Sequence, residues 1–166
     1  YVCVDKIYTY QAKTDTTAAQ FTVFNFKEFD WKDAFEQLVK ALGEAKVQMV
    51  LSADFYQLIQ VDKPNVEAEE MSAALLWSVK DLVSQPVTNI HLDYFESSKQ
   101  SSNKVSVVVA EKDQLSQLLL AAKTVGIDTC GVTIEEMAIT NLFDDSQARL
   151  LLSHYSGGEL LLAVVK

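Results

Sequence analysis

The residues able to do chemistry in this chain are few and scattered. Histidine occurs only at His91 and His154, and cysteine only at Cys3 and Cys130. A metal site needs several such ligands at short, regular spacings, and neither histidine belongs to such a set. His91 and Asp93 fall on one face of a strand-like segment, where a carboxylate can orient an imidazole for proton transfer. A polar strand face or a partly exposed edge is the simpler account of the pair. Both cysteines sit in apolar runs, where a thiol behaves as a small hydrophobe with a raised pKa. The cluster Glu67, Glu69 and Glu70 has the charge to hold a cation, but it falls in an expected first helical turn, where the helix dipole favours acids. Asp144-Asp145 reads as a solvated loop. The phosphate-cradling glycine motifs and the Gly-x-Ser-x-Gly elbow are all absent. Gly157-Gly158 is the only glycine pair, and a hairpin turn explains it. The expectation is a protein with no catalytic residue, no metal site and no cofactor.

Charge narrows the partners. The 166 residues carry 14 Lys plus Arg against 23 Asp plus Glu, a net charge of −9. A nucleic-acid binder needs a basic face, and Arg149 is the only arginine. The same balance opposes direct docking on anionic lipid. Apolar residues make up 49% of the chain, enough for a sizeable core. No run of 18 apolar residues is present, so no membrane-spanning segment is expected, and no secretory signal is seen. Two cysteines make no disulfide framework, which fits a reducing compartment. The chain opens at Tyr1 rather than at methionine, and it reads as a piece of a longer protein.

The elements that must position these residues alternate between strands and helices. Tyr1 to Tyr10 and Gln20 to Lys27 read as strands, the second with aromatics on both faces and so expected to be covered on both. Asp30 caps a helix carrying Phe35, Leu38, Val39 and Leu42 at helical spacing, with Gly43 at its end. Val47 to Ser52 is a buried strand. From residue 55 the order is β-α-β-β-α-β: strand 55–61, helix 66–84, strands 88–96 and 104–110, helix 114–125, strand 128–132. Asn65 caps the first of these helices, whose stripe is Met71, Leu75, Val79 and Leu82. The order is that of a ferredoxin-like unit, with four strands in one sheet and both helices on one face. Thr133-Ile134-Glu135-Glu136 is a capping box that opens a short helix at Ile134, running to Phe143. Ala148 to Ser153 and Glu159 to Val165 form a hairpin around Tyr155-Ser156-Gly157-Gly158.

Over residues 30–165 the order of these segments resembles the PilM-like family of actin-like proteins. The likeness is carried by Val47-Gln48-Met49-Val50-Leu51-Ser52, then Tyr56 to Val61 with Pro64, and Glu69-Glu70 opening a helix that Pro86 closes. It continues in Asn89-Ile90-His91-Leu92-Asp93-Tyr94, in Val105 to Lys112, in Ala121 to Ile127, and in Val132-Thr133-Ile134-Glu135-Glu136-Met137-Ala138. The segments look like those of the MshI branch of mannose-sensitive haemagglutinin (MSHA) pilus systems, with the cytoplasmic GspL domain of type II secretion as a close relative. The resemblance implies an α/β fold: a partial actin-like (ribonuclease H-like) subdomain, residues 1–54 with 134–166, and an inserted ferredoxin-like lobe, residues 55–133.

The resemblance also implies a function. PilM-like proteins sit in the cytoplasm, at the inner membrane through a partner, and recruit the N-terminal tail of a single-span assembly protein. The expected function is therefore a non-enzymatic pilus-assembly scaffold. The alternatives are a GspL-like scaffold that binds the secretion ATPase, or an actin-like ATPase whose phosphate loops lie outside these residues. Active members carry Asp-Ile-Gly in their second phosphate loop. Here Ser153 stands for the aspartate and Tyr155 for the glycine, with Gly157 and Gly158 falling later. Ser153 offers no carboxylate to position metal and water, and Tyr155 blocks close backbone approach.

Overall fold

The computed structural model describes residues 1–96, 103–140, 149–154 and 160–165. The chain divides into two compact units: residues 1–54 with 117–166, and residues 55–116.

The first unit is built around two strand pairs and a helix. Strands β1 (Lys6–Gln11) and β2 (Gln20–Asn25) are antiparallel, with Lys6 opposite Asn25 and Gln11 opposite Gln20. Strands β3 (Lys46–Leu51) and β7 (Asp128–Ile134) are parallel. A single residue joins the pairs: Val2 bridges antiparallel to Ile7 and parallel to Leu51. Its N–H donates to Val50 O at 2.8 Å, and its carbonyl accepts from Ser52 N at 2.9 Å. The strand expected over Tyr1 to Tyr10 is thus a hairpin, closed by Cys3 N donating to Lys6 O at 2.9 Å. Asp5 provides the turn chemistry at its centre.

Helix α1 (Trp31–Leu42) starts as its sequence predicts. Asp30 accepts from the Asp33 N–H at 3.2 Å. At its far end Gly43 has φ 77°, and its N–H caps Val39 O at 2.8 Å. Its face buries Trp31, Ala34, Phe35 and Leu38. Strand β2 departs from expectation. Phe24 is buried, but Phe21 is 64% exposed, as is its cross-strand partner Tyr10 at 72%. The outer aromatics pack on their neighbours, Tyr8 stacking on Phe21 at 6.1 Å between ring centres, so that face is left open.

The second unit is a three-stranded antiparallel sheet in the order β4 (Tyr56–Asp62), β6 (Lys104–Glu111), β5 (Ile90–Phe95). The four-stranded sheet expected over residues 55–133 does not form, because Asp128–Ile134 pairs with β3 instead. That strand is apolar enough for either sheet, and a parallel partner decided the outcome. Helix α2 (Met71–Val79) buries Met71, Leu75 and Val79 on Val105, Val107 and Val109 of the central strand. It is shorter than the pattern suggested. Glu70 N donates to Glu67 O and Met71 N to Ala68 O, so tight turns and not helix hold residues 67–70, and Asn65 caps nothing. Leu82 lies past the end and is 58% exposed.

Helix α3 (Lys112–Thr124) runs through the boundary between the units and ends at Gly126, with φ 88°. Helix α4 (Glu135–Thr140) begins one residue later than its capping box implied, since Thr133 is held in the parallel ladder opposite Val50. Strands β8 (Arg149–His154) and β9 (Leu160–Val165) form the expected antiparallel hairpin. Its turn, the polar loop after Glu96 and the expected run of α4 from residue 141 to Phe143 lie outside the described residues.

Leu75 is fully buried. Leu75→Ala should cost about 3 kcal/mol through lost transfer energy and the cavity left behind. Trp77→Ala, at a side chain 69% exposed beside Lys80, should cost well under about 1 kcal/mol. Urea unfolding of both variants checks the contrast.

Candidate functional site

Parallel strands converge with their carboxyl ends on one side, and in open α/β sheets that side is where ligands meet the chain. In the first unit the Val2 segment, β3 and β7 end there together. The residues following them are Cys3, Ser52 to Asp54, and Glu135. Glu135 is 5% exposed and Ser52 3%. The Tyr1 hydroxyl donates to Glu135 Oε2 at 2.6 Å, and Ser52 Oγ donates to Asp54 Oδ2 at 3.0 Å.

The electrostatics of this end are acidic. Burial pushes the Tyr1 phenol well above its ordinary range, and the hydrogen bond to Glu135 adds to the shift. Burial also raises the Cys3 thiol, reinforced by the nearby Asp54 charge. A thiol raised in this way stays protonated and is a poor nucleophile. The hairpin turn before β1 carries no glycine, and its carbonyls are engaged: Val4 O accepts from Phe29 N, and Asp5 O from Phe26 N. Lys6 lies 3.7 Å from the Asp5 carboxylate. Carboxylates facing a buried phenol repel a polyphosphate. What this end does well is hold its own strand ends in place.

The residues singled out from sequence are dispersed. His91 and Asp93 are both exposed on the edge strand β5, and Asp93 Oδ1 accepts from the Tyr94 N–H at 2.8 Å. They form a polar strand face. Glu67, Glu69 and Glu70 are exposed in the turns before α2. Cys3 is buried, as its apolar run predicts, but Cys130 is exposed. It lies with Asp128 and Val132 on the exposed face of β7, at a bulge where Val47 pairs with Thr129 and Gln48 with Gly131. Ser153 lies on β8, opposite Leu161. Tyr155, Gly157 and Gly158 lie outside the described residues, so the expected degenerate phosphate loop is not described beyond its first position. Among the described residues, no three His, Cys, Asp or Glu side chains gather as a metal site would require.

Sequence reasoning missed Tyr1, Ser52 and Glu135. Glu135 was visible only as the third residue of a capping box, which predicts an exposed side chain. Nothing local marks it as the acceptor for a residue 134 positions away.

Neither a protein-family model nor a curated protein matches this sequence. Solved structures do match it in fold. The cytoplasmic domain of EpsL, an inner membrane component of the type II secretion system of Vibrio cholerae, aligns over 96% of this chain with a TM-score of 0.68 and 16% identity. A PilM–PilN type IV pilus biogenesis complex aligns over 98% with a TM-score of 0.69 and 14% identity. The chain spans 66% of the first and 59% of the second. These likenesses agree with a mixed α/β chain containing a partial actin-like subdomain.

The raised Tyr1 phenol has a measurable consequence. A group whose pKa is raised on folding stabilises the fold below its unfolded pKa and loses that contribution as pH rises through the folded value. Stability should therefore fall as pH climbs above about 10, the ordinary tyrosine value. Tyr1→Phe should flatten that fall and cost about 2 kcal/mol at neutral pH through the lost hydrogen bond to the buried Glu135. Denaturation midpoints of both proteins across alkaline pH check it.

Proposed function

We propose that this chain is a non-enzymatic scaffold of a type IV pilus assembly machine of the MSHA type. It would work in the cytoplasm, held at the inner membrane through a partner rather than by inserting itself. Its task would be to dock the N-terminal tail of an inner-membrane pilus assembly protein. The observation that carries this reading is the fold likeness to the PilM–PilN complex over 98% of the chain, with the segment-by-segment resemblance in sequence beside it. No helix among the described residues is long and apolar enough to cross a membrane, which suits a role at the surface of a partner. The net charge of −9 and the acidic strand ends weigh against nucleic acid and nucleotide. The serine at position 153 does the same, since phosphoryl transfer needs a carboxylate there.

The second reading is a GspL-like scaffold that binds the ATPase of a type II secretion system. The fold likeness to the EpsL cytoplasmic domain, at TM-score 0.68, favours it. A working actin-like ATPase is the third, and it requires phosphate loops supplied from outside these residues.

Calorimetry separates the three. The chain is titrated with synthetic N-terminal tails of the inner-membrane pilus assembly proteins, with the secretion ATPase, and with magnesium–ATP. The pilus reading expects saturable binding of one tail and no heat from ATP. Binding of the secretion ATPase alone would replace it with the second reading, and micromolar ATP binding would contradict both scaffolds.

A further inference from the structure

Helix α2 carries no charged residue on any side. Its nine residues are apolar except for Ser72 and Ser78. Met71, Leu75 and Val79 are buried on the central strand of the second unit. That stripe is the usual one for a helix laid on a sheet, and the opposite side of such a helix is normally charged. Here the opposite side presents Ala73 and Trp77, one helical turn apart and both exposed. Trp77 is 69% exposed, so most of a large indole stands in water.

Charge frames this side at both ends. At helical spacing Glu70 comes before Ala73, and Lys80 and Asp81 come after Trp77. Glu67 and Glu69 stand in the turns ahead of the helix, and all five charged residues are exposed. Lys80 Nζ sits 4.7 Å from the centre of the Trp77 ring, a cation held against an aromatic face. No ion pair among the described residues involves Glu67, Glu69, Glu70 or Asp81. The frame is therefore acidic, and its one ammonium is occupied by the indole.

That sign selects the occupant. A second copy of the chain would bring the same carboxylates against these, and anionic lipid would meet them with its own charge. An apolar stripe flanked by lysine or arginine satisfies both the indole and the frame. We propose that the outer side of α2 docks a basic amphipathic helix of another protein. Trp77 is the anchor that packs among the partner's aliphatic side chains, as tryptophan does at the centre of many interfaces. Ala73 lets the two helices approach closely beside it. The partner's basic residues meet Glu70 and Asp81, with Glu67 and Glu69 adding to the field that steers them in. This surface does not depend on which machine the chain serves.

The test uses two synthetic helical peptides with leucine at i, i+3, i+4 and i+7. One carries lysine at every other position and the other glutamate. Trp77 reports binding, because Trp31, the second tryptophan, is only 4% exposed. The expected result is saturable binding of the Leu–Lys peptide, with tryptophan emission moving to shorter wavelength and affinity falling as salt rises. Trp77→Ala, followed by calorimetry, should weaken binding at least about tenfold. Glu70→Gln combined with Asp81→Asn should weaken it and flatten its salt dependence. No binding, equal binding of the Leu–Glu peptide, or unchanged affinity in Trp77→Ala would overturn the proposal. So would the same emission shift on adding phosphatidylglycerol vesicles, which would assign the face to a membrane. A shift that grows with protein concentration alone would assign it to a second copy and overturn it too.

Discussion

The first unit depends on the backbone of one residue. Val2 gives its N–H to β3 and takes a bond back from Ser52, while its neighbours Tyr1 and Cys3 bond to Tyr8 and Lys6. Without those bonds β1–β2 and β3–β7 are separate ribbons. A two-stranded ribbon is marginal in water, so joining them is what makes a sheet that α1 can cover. The side chain matches the task, since Val2, Ile7 and Leu51 are each 3% exposed or less. The Tyr1–Glu135 bond reinforces the junction by tying its start to the first turn of α4.

That junction also explains where the candidate site came to lie. Once the Val2 segment runs parallel to β3 and β7, the residues after all three strands are carried to one side. Their chemistry is that of retention: a buried phenol on a carboxylate, a serine on an aspartate, a thiol held protonated. The same geometry with glycines, whose free backbone N–H groups can approach a ligand closely, would make an anion cradle. With Cys3, Val4 and Asp5 in the turn, the backbone is spent on its own structure. The second unit is simpler. It is an antiparallel sheet whose central strand alternates buried valines, with one helix laid on that face.

Much of this was legible in the sequence, where local signals were unambiguous. The Asp30 cap, the Gly43 end and the closing hairpin of β8 and β9 all follow from residue type and spacing. The failures share a cause. The break at Val4-Asp5 was hidden because Tyr1 to Tyr10 alternates well enough to pass for one strand. The partner of Asp128–Ile134 is set by a contact some eighty positions away along the chain, and local pattern fits either sheet. The helix after Pro64 was drawn too long because glutamates suit a pre-helical turn as well as a first turn. The site suffered most. Glu135 and Ser52 are buried polar residues whose partners come from other strands, and no spacing rule announces that.

The central claim is that Val2 couples two strand pairs into one cooperative unit. Native-state hydrogen exchange resolved by residue measures it directly. The account predicts that the amides of Val2 and Ser52 exchange with the slow set that includes Met49 and Leu51, and share its denaturant dependence. Exchange of those two amides as fast as the turn amides of Asp15 and Thr16, while β3 stays protected, would show that the two pairs open independently and would contradict it.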